Sequence, residues 1–278
     1  MISIPIFSYK DIKINYIDEG KGDPLVFICG TFTKYQMWNY QIDYFRDKMR
    51  VIAFDNRGTG KSSRPDYPYT MDMLVEDTKN LLDHLDINGG VNLCGSSMGA
   101  MISMSFTLKY PHIVKTLVLC APTAYYAPNA YQQNKIVFNN LKELDVESRV
   151  KYWFPIMYSR TYKKRLEKEV ELYNKISPDM NFCAQLRDSP TYKDYINQNE
   201  ALKDFDIRDS LKKIKVPTLI LSGDKDRLEV PGMLELIKES IPNSELKKIP
   251  GAGHAFNIEA PTEVNELIWK HIQKYSEN

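Results

Sequence analysis

The chain has 278 residues, 43% of them hydrophobic and 26% charged, and its 37 basic and 36 acidic side chains leave a formal net charge of +1. This is the composition of an ordinary globular protein, long enough for one large core or for a core domain carrying an insertion. Without a basic block it lacks the electrostatic footprint of a partner for nucleic acid or an anionic membrane, so a small molecule is the expected partner.

The N-terminal MISIPIFSYKD has no basic stretch followed by an apolar region and a small-residue cleavage site. No apolar run in the chain approaches the ~20 residues that span a bilayer, and the expected compartment is the cytoplasm. The segments ISIPIFSY and IKINYID alternate in polarity and predict an antiparallel hairpin at one edge of a sheet. Short unbroken apolar runs then recur: PLVFIC (24–29), RVIAF (50–54), VNLC (91–94), VKTLVLCA (114–121) and PTLILS (217–222). Unbroken apolarity over four to eight residues marks strands buried on both faces. Helical periodicity fills the intervals, as at Met71, Leu74, Val75, Thr78, Leu82 and Leu85. Such alternation implies right-handed crossovers, a parallel sheet covered on both sides, and sites at the carboxyl ends of its strands.

The rhythm breaks after CAPTAYYAP. Residues 123–213 are rich in Tyr, Lys, Glu and Asn and show helical spacing without a buried strand. A connection that long is read as an inserted helical cap, dividing the chain into a core of residues 1–122 and 214–278 and a cap of 123–213. Four cysteines (Cys29, Cys94, Cys120 and Cys183) show no CxxC pairing and read as small thiols, mostly buried.

In Gly95-Ser96-Ser97-Met98-Gly99 a strand turns directly into a helix. The two glycines remove the side chains that would clash there, so Ser97 stands at the apex, while Ser96 lies beside it. A serine hydroxyl is a weak nucleophile without a base and donors for the oxyanion it creates. Of four histidines, His84, His112 and His271 lie in or at the ends of helices and read as surface or packing residues. His254 sits in PGAGHAFNIEAP, a glycine-rich loop between the strand-like SELKKI and the last helix, where an imidazole can reach the sheet's carboxyl edge. A third group should orient that imidazole, and either Asp224 or Asp226, after TLILSG, qualifies.

The full set of motifs resembles the α/β-hydrolase-fold serine hydrolases along nearly the whole chain. Cys29-Gly30, DNRGTGKS (55–62), GSSMG, Gly223-Asp224-Lys225-Asp226 and Gly253-His254 stand where that family has His-Gly, D-x-R-G-x-G-x-S, G-x-S-x-G, G-x-x-D and G-H. The resemblance implies a mostly parallel eight-stranded sheet with helices on both faces and an inserted helical cap. It implies Ser97 as nucleophile, His254 as general base and acid, Asp226 as the orienting acid, and an oxyanion hole from the backbone N–H groups of Met98 and Thr31. Asp55 and Arg57 resemble the family's structural turn, held by ion pairing. Cys29 departs from the usual His, which removes a polar contact that often steadies the oxyanion loop.

Serine at the elbow separates the chain from related epoxide hydrolases and dehalogenases, which use Asp. The run from Met37 to Ile87 most resembles carboxylesterases and enol-lactonases, implying a small-molecule ester or lactone substrate and neither metal nor organic cofactor. Carbon–carbon hydrolases, many with Asn in place of Ser96 and Trp in place of Ala255, are the nearest rival. Cofactor-free perhydrolases share the same triad, and a hydrolase-like ligand receptor with little turnover is the alternative from another class. Within the cap, Tyr125, Tyr126, Trp153, Phe154, Met157 and Phe182 are candidate pocket residues, and Arg187 reads as a surface ion-pair residue.

Overall fold

The computed structural model describes residues 5–168 and 191–276. The strands are β1 (Ile6–Tyr9), β2 (Ile12–Glu19), β3 (Pro24–Ile28), β4 (Arg50–Phe54), β5 (Val91–Ser96), β6 (Val114–Cys120), β7 (Thr218–Gly223) and β8 (Ser244–Ile249). They form one eight-stranded sheet in the order β1-β2-β4-β3-β5-β6-β7-β8. The β1–β2 pair is the expected edge hairpin, β2 also runs antiparallel to β4, and every other neighbouring pair is parallel.

The unbroken apolar runs are strands because both faces of the sheet are covered. Along β3, Val26 and Ile28 enter one core while Leu25 and Phe27 enter the other, the period-two alternation of a strand with no wet side. Helices α2 (Met71–His84), α3 (Met98–Lys109) and α8 (Met233–Ser240) contribute to the first core. Helices α1 (Asn39–Phe45) and α10 (Pro261–Lys274) contribute Ile42, Phe45, Val264, Ile268 and Ile272 to the second. The α3 helix is buried on nearly all sides because it lies centrally against β5 and beneath α2. At the far edge, β8 carries Glu245, Lys247 and Lys248, charges of the kind that discourage further strand pairing.

Between β6 and β7 the described residues form helices α4 (Pro128–Leu141), α5 (Val146–Met157), α6 (Arg160–Lys168) and α7 (Tyr192–Glu200), and none of these residues joins the sheet. Their starts follow capping chemistry: Pro128 opens α4, the Asp145 carboxylate accepts the Ser148 N–H ahead of α5, and Thr191 and Asp194 form a reciprocal capping box on α7. Where the excursion leaves and rejoins the core, its two ends are zipped together. Tyr125 bridges Asp206, Tyr126 N–H donates to Phe205 O at 2.9 Å, and Ile207 N–H donates to Ala124 O at 2.9 Å.

The pairing of the turn after β4 differs from what the resemblance implied. Arg57 forms its ion pair with Asp77 of α2, with Nε 2.6 Å from Oδ2, and the Tyr9 hydroxyl joins the same carboxylate. Asp55 instead accepts from Asn15 Nδ2 (2.8 Å) and from the backbone N–H groups of Tyr35 (2.9 Å) and Lys61 (3.0 Å). Both carboxylates are buried, but Asp55 is filled by three neutral N–H donors, whereas Asp77 takes its compensating charge from Arg57.

Candidate active site

Strand β5 ends at Ser96 and α3 begins at Met98, leaving Ser97 in the tight turn with φ 55° and ψ −118°. That conformation is unfavourable for any residue with a Cβ, and the surroundings impose it. Ser97 N–H is pinned to Cys120 O of the neighbouring strand at 2.8 Å. A Cβ on Gly95 would lie 2.2 Å from Gly99 O, and one on Gly99 would lie 2.3 Å from Ile28 O, so only glycine allows this approach. The turn therefore presents Ser97 at the carboxyl edge of the sheet. As the first residue of α3, Met98 keeps an N–H with no carbonyl inside the helix to bond.

The loops after β7 and β8 bring a carboxylate and an imidazole together at the same edge. His254 Nδ1 lies 2.8 Å from Asp226 Oδ2, and the two side chains are 7% and 1% exposed. Asp226 Oδ1 also accepts the Leu228 N–H at 2.8 Å. Burial alone would raise the Asp226 pKa, but the neighbouring His254 and the Leu228 and Glu229 N–H groups outweigh it and hold the carboxyl below its ordinary value. An ionised Asp226 fixes the proton on Nδ1 and leaves Nε2 as the basic nitrogen. Asp224 faces elsewhere: its Oδ1 accepts the Gly251 N–H at 2.6 Å, which shapes the turn ahead of the histidine loop.

The histidine loop is braced from the helical excursion. Glu259 Oε1, on the short helix α9 (Phe256–Glu259), accepts from Gly253 N–H at 3.0 Å and from Ser159 N–H at 2.9 Å, while Oε2 accepts from Ser159 Oγ at 2.6 Å. Burial raises the Glu259 pKa against these donors, and the charge of Asp226 adds to the rise. Ala255 N–H donates to Met157 O at 2.9 Å, and Arg227 Nη1 donates to Pro155 O at 2.9 Å.

The loop after β3 is steadied without the usual histidine. Asn56 Nδ2 donates to Cys29 O at 2.9 Å and Thr33 Oγ1 to Gly30 O at 3.0 Å. The Cys29 thiol is buried and donates to Phe54 O, and burial first, then the charge of Asp55, pushes its pKa well up, so it is no nucleophile. Phe32 adopts φ 60°, and its N–H is taken by Gln198 Oε1 at 3.0 Å. The Thr31 N–H meets no acceptor among the described residues.

Ser97, Met98, Thr31, Asp226 and His254 all line one cavity of about 370 Å³. Tyr125, Tyr126, Trp153 and Met157 line it as well. Phe154 does not. Trp153 and Met157 share one face of α5 at a four-residue spacing, whereas Phe154 points off that face and stacks on Tyr158 at 4.8 Å. Phe182 and Arg187, like Cys183, lie outside the described residues. Much of the remaining wall is apolar and had no signal in any motif: Met37, Met101, Phe138, Leu202, Leu228 and Leu234. The cavity's further carboxylate, Glu229, is bound by Ser222 Oγ and Lys248 Nζ, both at 3.0 Å.

Among the described residues no group of three or more His, Cys, Asp or Glu side chains is placed to hold a metal ion, and no helix is long and apolar enough to cross a membrane.

The family described as alpha/beta hydrolase fold matches residues 23–261. The 3-oxoadipate enol-lactonase 2 of Acinetobacter baylyi is 28% identical, covering 98% of this chain and 100% of that protein. Among solved structures, a thermophilic esterase from Thermogutta terrifontis superimposes with a TM-score of 0.84 at 26% identity, covering 95% of this chain and 94% of the other. The enol-lactonase from Burkholderia xenovorans shares the fold with a TM-score of 0.86 at 21% identity, covering 97% and 100%.

Proposed function

Because the chain belongs to the α/β-hydrolase family, we propose that it is a serine hydrolase that cleaves a carboxylic ester or lactone through an acyl-enzyme on Ser97. The observation that carries the reading is the buried His254–Asp226 hydrogen bond of 2.8 Å at the cavity that Ser97 also lines. Ser97 Oγ attacks the substrate carbonyl as its proton passes to His254 Nε2. The Thr31 and Met98 N–H groups receive the oxyanion, and His254 returns the proton to the departing alkoxide. Water, deprotonated by the same nitrogen, then attacks the acyl carbon, releases the acid and restores Ser97. In this reading residues 123–213 act as a cap that walls the cavity with Tyr125, Tyr126, Trp153 and Met157. Phe154 is not needed there.

The apolar wall favours a neutral acyl or alcohol group of modest size. Ester or lactone chemistry is favoured over carbon–carbon cleavage by the small residues Ser96 and Ala255, where many carbon–carbon hydrolases carry Asn and Trp. Esterases and enol-lactonases among the similar proteins point the same way. A cytoplasmic location accords with three buried, free thiols at Cys29, Cys94 and Cys120. The test compares p-nitrophenyl esters of graded acyl length with a vinylogous diketone. Faster turnover of the esters, with an optimum at short to medium chains, is expected. Preference for the diketone overturns the ester assignment, and binding without turnover of either points to a receptor.

A further inference from the structure

The oxyanion loop is held by a side chain from the helical excursion, 166 positions away in sequence from the amide it grips. Gln198, on the last turns of α7, is completely buried. Its Oε1 accepts the Phe32 N–H at 3.0 Å, and its Nε2 donates to Arg57 O at 2.7 Å. One neighbour is an obligate donor and the other an obligate acceptor, so the amide has a single satisfied orientation. The contact thus ties three segments together: the loop after β3, the loop after β4, and the excursion.

Phe32 is gripped twice. Its backbone sits at φ 60°, a conformation that costs a residue with a Cβ on the order of 1–2 kcal/mol. Its ring packs edge-on against Phe138 of α4 at 5.1 Å and Tyr195 of α7 at 4.4 Å, and those two rings stack on each other at 5.0 Å. The left-handed turn sets the plane of the Thr31–Phe32 peptide, and Gln198 draws its N–H toward α7. Thr33 N–H folds back to Gly30 O at 3.4 Å. With these two amides committed, the Thr31 N–H remains to meet an oxyanion.

We infer that Gln198 is a positioning residue for the oxyanion hole: by holding Phe32 N–H in the excursion it aims Thr31 N–H at the carbonyl attacked by Ser97. This inference rests on the serine-hydrolase reading. Its consequence is that the helical excursion builds part of the reacting geometry as well as walling the pocket. An oxyanion forms only as the reaction proceeds, so misaiming the donor lowers kcat and leaves substrate binding largely intact.

Gln198→Met removes both hydrogen bonds at similar volume. Its kcat for p-nitrophenyl butyrate is expected to fall about tenfold or more, short of the roughly 10²–10³-fold loss from deleting an oxyanion donor outright, with KM within about twofold. Affinity for an alkyl boronic acid, which forms a tetrahedral adduct with serine, should weaken in step with kcat/KM, while affinity for the product alcohol stays unchanged. Gln198→Glu supplies the decisive second variant if Gln198→Met does not fold. A protonated carboxyl offers the same acceptor and donor as the amide, whereas the ionised form faces Arg57 O without a proton. Burial favours the protonated carboxyl, so the variant's kcat relative to wild type should be highest at the acid end of the enzyme's working range and decline as the pH rises.

A folded Gln198→Met enzyme with unchanged kcat, or one altered in KM alone, overturns the inference. So does a Gln198→Glu enzyme whose relative kcat does not change with pH. Wild-type protein that neither turns over esters nor takes a phosphonate on Ser97 refutes the hydrolase reading itself. Active wild type with an indifferent Gln198 refutes only the positioning role.

Discussion

Replacing Asp226 by Asn separates a working acid from a neighbouring turn residue. In the structure the carboxylate lies 2.8 Å from His254 Nδ1 with both side chains almost fully buried, and its pKa is held low, so in the proposed mechanism it is charged when the imidazole takes the serine proton. With charge centres about 4 Å apart and an effective dielectric near 20, that ion pair stabilises the transition state by about 4 kcal/mol. A loss of that size is about a thousandfold in rate. Asn also presents an amide N–H to Nδ1 and favours the wrong tautomer, which takes the expected loss in kcat/KM to about 10³–10⁴-fold. Asp224→Asn is the control, since among the described residues its carboxylate holds Gly251 N–H and a largely exposed Lys225, and it should change the rate less than about threefold. Steady-state hydrolysis of p-nitrophenyl butyrate near pH 7.5 reads both variants, with far-ultraviolet dichroism to show that they fold. A folded Asp226→Asn enzyme retaining a tenth of the wild-type rate, or an Asp224→Asn enzyme losing as much as Asp226→Asn, would refute the reasoning.

Strain at the elbow gives a stability test: with φ 55° and ψ −118° at Ser97, Ser97→Gly should unfold with a free energy about 1 kcal/mol higher than Ser97→Ala, both being inactive, and the reverse order in urea titrations would contradict the strain. His271, buried in α10, has its pKa lowered to about 4 by burial. The folded state therefore resists a proton that the unfolded chain accepts below its ordinary 6.5, so the stability is full above that value and declines by up to about 3 kcal/mol as the pH falls toward 4. His271→Phe should flatten this decline in urea unfolding between pH 4 and 6.5, and an unchanged slope would exclude His271 as its cause. Arg57→Met leaves the Asp77 carboxylate buried without its cation and should cost about 3–5 kcal/mol, of which the double variant Arg57→Met/Asp77→Leu regains a part. A double variant less stable than the single one would show that the pair is not the relevant interaction.

What could be read in the sequence was whatever local chemistry dictates. The central strands announced themselves because burial on both faces leaves mostly apolar residues along them, and the first hairpin through its alternation, whereas β8, a short edge strand with three charged residues, was legible mainly through its place in the chain. Ser97 and His254 were legible because a strand-to-helix turn and a loop at the sheet's edge need glycines at fixed offsets. Contacts between distant segments left no such trace. Nothing near Arg57 in sequence indicates that its partner is Asp77, and nothing near Gln198 points to Phe32. Phe154 was misjudged because composition cannot tell which face of α5 looks into the cavity, a matter of one residue's rotation about the helix. The steadying of the loop after Cys29 was hidden for the same reason, since it is supplied by Asn56 and Gln198 from other elements.

The central claim is that the second of two adjacent serines is the nucleophile, and a fluorophosphonate reads it directly. Labelling followed by peptide mass mapping should place one phosphonyl group on Ser97 and none on Ser96, with the adduct lost in Ser97→Ala and strongly slowed in His254→Ala. Ester-hydrolysing protein that stays unlabelled, or that carries the phosphonyl group at Ser96 or at another residue, would contradict it.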